Sequence, residues 1–237
     1  MAERIKDNEI AILMPALNEE LNIVTTLSAI PLKNPKIIVI DNGSDDNTNM
    51  LAKSTGANVV YEPRRGYGYA CLAGIRYIQK LKPQPKMVIF LDADGADDPK
   101  GITKLLNTKL NPPYSNLVMG SRLDNLIGGA MSSHSIIANK VLIKIINLLY
   151  RVKLEDMGPF RVIDYQTLIN LNMTDTGYGW SSEMIVKTLK MGYTITETPV
   201  IYRPRLGESK ISGSVINSLK AVIWLTIHIF RHAFRRK

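Results

Sequence analysis

The stretch Met87-Val88-Ile89-Phe90-Leu91-Asp92-Ala93-Asp94-Gly95 runs from continuous apolar side chains straight into two carboxylates one residue apart. An apolar run between a Pro-rich loop and a glycine predicts a short buried strand over residues 87–91. On extended backbone, Asp92 and Asp94 point to the same side, because strand side chains alternate with period two. Two carboxylates so placed repel each other unless positive charge lies between them. A hard divalent cation, Mg2+ or Mn2+, carrying substrate phosphates on its open positions, resolves that conflict. A plain turn is the competing reading, since Asp and Gly are turn formers.

Upstream, apolar runs alternate with helical stretches. Residues 10–14, 37–40 and 58–61 read as strands, and 19–29, 46–54 and 68–79 as helices. Strands separated in this way imply right-handed βαβ crossovers and a mostly parallel sheet flanked by helices, an α/β fold. Ligands in such sheets lie beyond the carboxyl ends of the strands. Asn18-Glu19, Asp41 to Asp46, Arg64-Arg65-Gly66 and Asp92 to Asp98 all fall at those ends, so one crevice is expected to collect them. Downstream, a strand is expected at 117–119 and a helix at 136–150. In that helix Lys140, Lys144 and Arg151 recur at helical spacing, opposite Ile137, Leu142, Ile145 and Leu149. Residues 193–198 and 200–202 read as strands split by Pro199. The absence of repeats favours a single domain over 1–212 with an extension at 213–237.

The 237 residues are 45% hydrophobic and 22% charged, ordinary globular values that allow a full core. A single cysteine, Cys71, excludes an internal disulfide and a multi-cysteine zinc site. The start shows no apolar signal core, which fits a cytoplasmic protein. The net charge of +9 is uneven: residues 1–120 hold 14 Lys/Arg against 13 Asp/Glu, and 121–237 hold 16 against 8. A basic second half suits an anionic partner: nucleic acid, an anionic membrane surface or a phosphorylated substrate. A nucleic-acid module accounts for the charge but not for the Asp clusters, so no nucleic-acid partner is expected.

The apolar run within the tail, 215–237, is about 16 residues and interrupted, short for a bilayer span of about 20. At helical spacing Asn217, Lys220, His228, Arg231 and Arg235 form one stripe, and Ile216, Leu219, Ile223, Ile227, Phe230 and Phe234 another. Such an amphipathic basic helix suits a membrane interface, peripheral at the inner face of the cell membrane. Packing on the domain's own core, or on a second subunit of a homo-oligomer, is the alternative.

Further residues point into the expected crevice. Pro15-Ala16-Leu17-Asn18-Glu19 closes the first strand, with Pro15 ending it. Asp41 follows four apolar residues, and its carboxylate could accept an N–H from a nucleobase edge. Asp45 or Asp46 suits a helix cap. Arg65 offers a phosphate fork, and Gly66 and Gly68 permit close backbone approach. In this order the motifs resemble the family 2 glycosyltransferases of the GT-A (Rossmann-like) fold, over roughly residues 10 to 212. The branch most similar holds dolichyl-phosphate mannose synthase and related polyprenyl-phosphate sugar transferases. The matching segments are Pro15 to Glu19, Asp41 to Asp45, Gly66-Tyr67-Gly68 with Gly74, Asp92-Ala93-Asp94, Gly120-Ser121-Arg122, Gly158 to Arg161 and Gly207 to Lys210.

The resemblance implies a metal-dependent, inverting transfer from a nucleotide-sugar, with a polyprenyl phosphate as the expected acceptor. Pro15, Leu17, Glu19 and Asp41 would line the nucleotide pocket, and Asp92 and Asp94 would hold the metal. Arg122 and Lys210 would contact phosphate. Two positions depart from the pattern. A Gln expected two residues after the second Asp is Ala96, so Asp97 or water would complete the metal shell. An Arg expected six residues before the Lys is Pro204, with Arg203 and Arg205 on either side, so Arg205 could serve from a shifted register. A hydroxyl acceptor in glycan or glycolipid synthesis would instead require a carboxylate base, for which Asp156 and Glu183 are the candidates. A sugar nucleotidyltransferase also uses acidic metal ligands on an α/β fold, but needs a Gly-rich phosphate loop where this chain has Pro15 to Glu19.

Overall fold

In the computed structural model, which describes residues 5–205, 223, 225–227 and 229–233, the early apolar runs form the middle of a seven-stranded sheet. β1 (Ile10–Ala16) and β4 (Met87–Phe90) are buried at every position. They show no polar alternation because helices cover both faces of the sheet. β1 pairs in parallel with β4 on one side and with β2 (Lys36–Asp41) on the other, and β2 carries β3 (Asn58–Tyr61) at the edge. The crossovers are α1 (Ile23–Ser28), α2 (Thr48–Ser54) and α3 (Tyr67–Lys80). The strand order is β3-β2-β1-β4-β6-β5-β7, with β5 at Leu117–Ser121, β6 at Arg161–Asp164 and β7 at Ile195–Pro199.

β6 runs antiparallel to both β4 and β5, and the sequence reading missed it. Four residues with a charge at each end carry no strand signal; their burial comes from the place in the sheet. Pro15, expected to end the first strand, lies inside it, paired with Ile40 of β2. β4 follows β1 only as far as Leu13, so beyond that point one flank of β1 has no ladder for a proline to break. The second half of the expected 193–202 strand pair is absent. Val200 donates one hydrogen bond to the Ser121 carbonyl, and Tyr202 makes only isolated bridges to Asp97 and Leu126.

Two cores sandwich the sheet. Ile12, Met14 and Ile89 face α1, α2 and α4 (Gly101–Leu110). Leu13, Phe90 and Met119 face α3, α5 (Ser133–Tyr150), α6 (Tyr165–Leu171) and α7 (Trp180–Lys190). The described tail positions are helical, and Leu225 and Ile229 join this second core. Lys190 Nζ on α7 donates to the His232 carbonyl at 2.9 Å. These described positions therefore pack on their own domain, while Ile223 and Ile227 of the expected apolar stripe stay exposed. Lys210, Asn217, Lys220, Trp224, His228 and Arg235 to Lys237 lie outside the described residues. No helix among the described residues is long and apolar enough to cross a membrane.

Trp180 is the largest fully buried side chain among the described residues, its ring centroid 6.0 Å from that of Phe90. Truncation there leaves a cavity that rigid sheet and helix cannot close. Trp180→Ala is expected to lower the unfolding free energy by about 3–5 kcal/mol in urea titration.

Candidate active site

The carboxyl ends of β1, β2 and β4 open onto one cavity of about 500 Å³. Its walls are Pro15 near the end of β1, Leu17 and Glu19 after it, Asn42 after β2, Arg65 to Tyr67 at the start of α3, and Asp92 to Asp94 after β4. Thr176, Gly177, Tyr178 and Arg205 complete it. The polar clusters spread along the sequence thus meet, because parallel strands end on the same side of a sheet.

Asp92 and Asp94 reach this cavity from a turn, not from extended backbone; Gly95 takes φ +70 to complete it. The turn and the cation readings of this segment are therefore compatible. Tyr67 Oη donates to Asp92 Oδ1 at 2.9 Å. Asp94 Oδ1 accepts the Ala96 N–H at 3.0 Å, and its Oδ2 pairs with Arg205 Nη1 at 3.0 Å. Arg205 thus enters the site from the shifted register. Burial, and then the charge of Asp94, push the Asp92 carboxyl up to about 7. A divalent cation would relieve that repulsion, so the pair fits one. Ala96 is buried and offers no ligand, and no three acidic, His or Cys groups among the described residues stand close enough to share a metal. Asp97, expected as a substitute ligand, is fully buried, no described donor reaches either oxygen, and burial pushes its acid well up. Two carboxylates with phosphates and water completing the shell is a usual arrangement for Mg2+.

Other expected residues sit differently. Asp41 is buried beside the cavity but outside its lining. Its carboxylate accepts the Ser44 N–H at 2.9 Å and the Asn49 amide at 2.8 Å, so it braces the turn after β2. Asn42 takes the wall position instead, bonding the Glu62 and Arg64 carbonyls and the Gly66 N–H. Arg65 lines the rim and pairs with Asp45 at 2.8 Å. Gly68 lies under the wall: a Cβ there would come 2.2 Å from the Asp175 carbonyl oxygen. Gly66 and Gly68 are thus the seat of the 175–178 loop, which no sequence signal beyond the glycines announced.

Neither candidate base is open to a substrate. Asp156 is fully buried, and both its oxygens accept from Arg122: the backbone N–H, Nε and Nη2, each at 2.8 Å. Burial opposes its charge, but the Arg122 guanidinium holds its acid below the ordinary range. Glu183 accepts from Thr174 N–H, Thr174 Oγ1 and Asp175 N–H and pairs with Lys187 at 2.8 Å. Burial again opposes the charge, while Lys187 and Thr174 lower the acid. Both are corrected from bases to anchors: Asp156 of Arg122, Glu183 of the cavity-wall loop. Arg122 itself stacks over Tyr202, Cζ to ring 5.1 Å, and its charge acts on Asp92 from behind the cavity.

Arg161 had no role assigned in the sequence, although it closes the Gly158 to Arg161 segment. It is 1% exposed, and it donates to the Met157, Gly158 and Ser181 carbonyls. Burial lowers its acid to about 10. It ties the loop carrying Asp156 to the first turn of α7.

The chain matches the family model described as glycosyl transferase family 2 over residues 11–170. An uncharacterized glycosyltransferase of Mycobacterium tuberculosis is 33% identical over 215 residues, 90% of this chain and 94% of the relative. A dolichyl-phosphate hexose transferase of Haloferax volcanii is 28% identical over 86% of this chain and 87% of its own length. Among solved structures, glucosyl-3-phosphoglycerate synthase from Mycobacterium tuberculosis, in complex with Mn2+, uridine-diphosphate and glucosyl-3-phosphoglycerate, superposes with a TM-score of 0.73 at 21% identity. That match covers 96% of this chain and 81% of the other, and it shows the GT-A fold. With the family matched over most of its sheet and this fold around the carboxylate pair, the chain belongs to glycosyl transferase family 2 and is a glycosyltransferase.

Proposed function

We propose that this glycosyltransferase moves a sugar from a nucleotide-sugar to a polyprenyl phosphate at an anionic membrane surface, with Mg2+ or Mn2+ held by Asp92 and Asp94. The observation that carries the acceptor assignment is the state of the two candidate bases. Transfer to a hydroxyl needs a group to take its proton, and Asp156 and Glu183 are both buried and fully engaged. The carboxylates that line the cavity are Glu19, Asp92 and Asp94, and the last two serve the cation. A phosphate monoester needs no base, because its second pKa near 6 leaves it an anion at neutral pH. The Haloferax relative's name, a dolichyl-phosphate hexose transferase, supports the same acceptor class.

In this reading an acceptor phosphate oxygen attacks the anomeric carbon in a single inverting displacement. The bond to the nucleotide diphosphate breaks, and its electrons leave with the nucleoside diphosphate. A bound cation would supply charge neutralisation for that leaving group. Pro15, Leu17, Glu19 and Asn42 hold the nucleotide end, and Arg65 reaches the rim. Arg205, in the wall beside Asp94, and Arg122 behind it stabilise phosphate charge.

The membrane assignment rests on two helix faces. On α5, Ile137, Val141 and Leu148 are 62%, 43% and 81% exposed, and the exposed Lys140 and Lys144 share their face. Ile137, expected opposite the lysines, thus lies beside them. Residues 125–154 contain four Lys/Arg and no Asp or Glu. Apolar side chains among uncompensated cations suit the interface of an anionic leaflet, which is the cytoplasmic one. Ile223 and Ile227 of the tail helix, 54% and 62% exposed, extend the apolar surface available.

Asp94→Ala is expected to reduce transfer by roughly 10²-fold or more with an unchanged circular dichroism spectrum; wild-type turnover in that variant would remove the cation role. Offered polyprenyl phosphate and the matching polyprenol with UDP-glucose and GDP-mannose, the enzyme should glycosylate only the phosphate. Preference for the alcohol would move the acceptor to the hydroxyl class. In vesicle co-sedimentation, Ile137→Glu combined with Leu148→Glu should release the full chain from phosphatidylglycerol vesicles. Undiminished binding by that variant would contradict the docking face. Truncating the tail is a poorer test, because Leu225 and Ile229 belong to the core.

A further inference from the structure

Four consecutive backbone N–H groups in the loop between α5 and β6 are taken by side chains, not by other backbone. Asn147 accepts from Leu154 at 2.9 Å and Asn139 from Met157 at 3.1 Å, both from α5. Between them Glu197 of β7 accepts from Glu155 through Oε2 and from Asp156 through Oε1, each at 2.8 Å. The loop so held carries the Asp156 carboxylate, and that carboxylate takes three N–H donors of Arg122, its backbone included. On the other side, a Cβ on Gly158 would stand 2.3 Å from the Gly120 carbonyl oxygen, so the loop has no slack against the end of β5. A displacement of the loop is therefore passed to Arg122.

We infer that Glu197 is a positioning residue for sugar transfer: by accepting two successive N–H groups of the Asp156 loop, its carboxylate fixes where the Arg122 guanidinium stands. This rests on the reading that Arg122 stabilises phosphate charge. Glu197 differs from the two asparagines in chemistry. Two converging N–H donors, one on each oxygen, require the ionised carboxylate; a protonated acid presents a hydroxyl to one of them. Lys153 and Glu155 from the loop share a cleft with Glu197, to which β5 contributes the uncharged Ser121, and the charge of Asp156 acts on it from behind the bonded N–H. Burial pushes the Glu197 acid up to about 7, against the pull of the two N–H bonds, and the charges of Asp156 and Glu155 add to the rise.

The sign separates positioning from mere stability. An acid whose folded value stands above its ordinary 4.5 makes its stabilising contribution at low pH and loses it as pH rises through about 7. Placement of the loop needs the ionised form, so turnover rises over the same interval. Activity and this group's contribution to stability run in opposite directions with pH.

The test measures nucleoside diphosphate release from UDP-glucose or GDP-mannose with Mn2+ and polyprenyl phosphate, together with melting temperature, from pH 6 to 8. Glu197→Gln removes the charge and keeps the shape, but turns an amide NH2 toward a backbone N–H. It is expected to lower kcat roughly tenfold or more at pH 8, to leave the donor KM little changed, and to flatten the rise of activity through pH 7. Its melting temperature should hold or increase. In the double variant with Asp156→Asn, turnover should fall no further than in Asp156→Asn alone, because both act through one loop. Wild-type kcat and pH profile in Glu197→Gln, or effects that multiply in the double variant, would overturn the inference. Full activity in Arg122→Ala would instead remove the phosphate role on which it rests. An inactive Arg122→Ala beside an unaffected Glu197→Gln would remove the positioning role alone.

Discussion

Two carboxylates, Asp92 and Asp94, meet at one turn beyond β4, and the rest of this site is arranged around their repulsion. Asp92 is pushed to about 7 by burial and by Asp94. The Tyr67 hydroxyl on one carboxylate and Arg205 on the other offset only part of it. In the proposed reading a divalent cation bearing a diphosphate would complete the neutralisation, where negative charge develops on the leaving group. Ground-state electrostatics and the direction of the reaction thus depend on one pair.

The fold supplies the geometry at low cost in sequence. Parallel strands β1, β2 and β4 end on one side, so residues from three separate loops converge without any of them needing an unusual strand. Beyond the antiparallel β6, a second set of groups holds Arg122 and Arg161 in place. Both are charged and fixed by loop oxygens, Arg122, its side chain 11% exposed, by a carboxylate and the fully buried Arg161 by carbonyls alone. Pulling one partner from the Arg122–Asp156 pair would leave an uncompensated buried charge, a loss of about 3–5 kcal/mol. The region behind the cavity is accordingly rigid, whereas Arg65 and Tyr178 at its mouth are half exposed or more.

What could be read in advance followed from physical repetition. β1, β2 and β4 are covered on both faces, so their apolar runs stand out, and the turn residues after them mark the site. β6 could not be read, because Arg161-Val162-Ile163-Asp164 owes its burial to neighbours distant in sequence. The same holds for the 175–178 wall, seated on Gly66 and Gly68, and for the loop held by Asn139, Asn147 and Glu197. Side chains meeting backbone across 7 to 42 residues leave no periodic trace. Asp156 and Glu183 illustrate the limit of residue type: a carboxylate in the right segment suggested a base, and only its partners identify an anchor. Helix spacing placed Ile137 opposite the lysines of α5, whereas the packing of Leu142, Ile143 and Ile146 turns it to the same exposed face.

The central claim is that the chain offers a cation two carboxylates and leaves the remaining positions to the nucleotide-sugar. Mn2+ binding followed by electron paramagnetic resonance, with and without nucleoside diphosphate, tests it most directly. Weak binding to the protein alone, strengthened roughly tenfold or more by UDP or GDP and lost in Asp94→Ala, is the predicted result. Tight Mn2+ binding that ignores the nucleotide, or that survives Asp94→Ala, would contradict it.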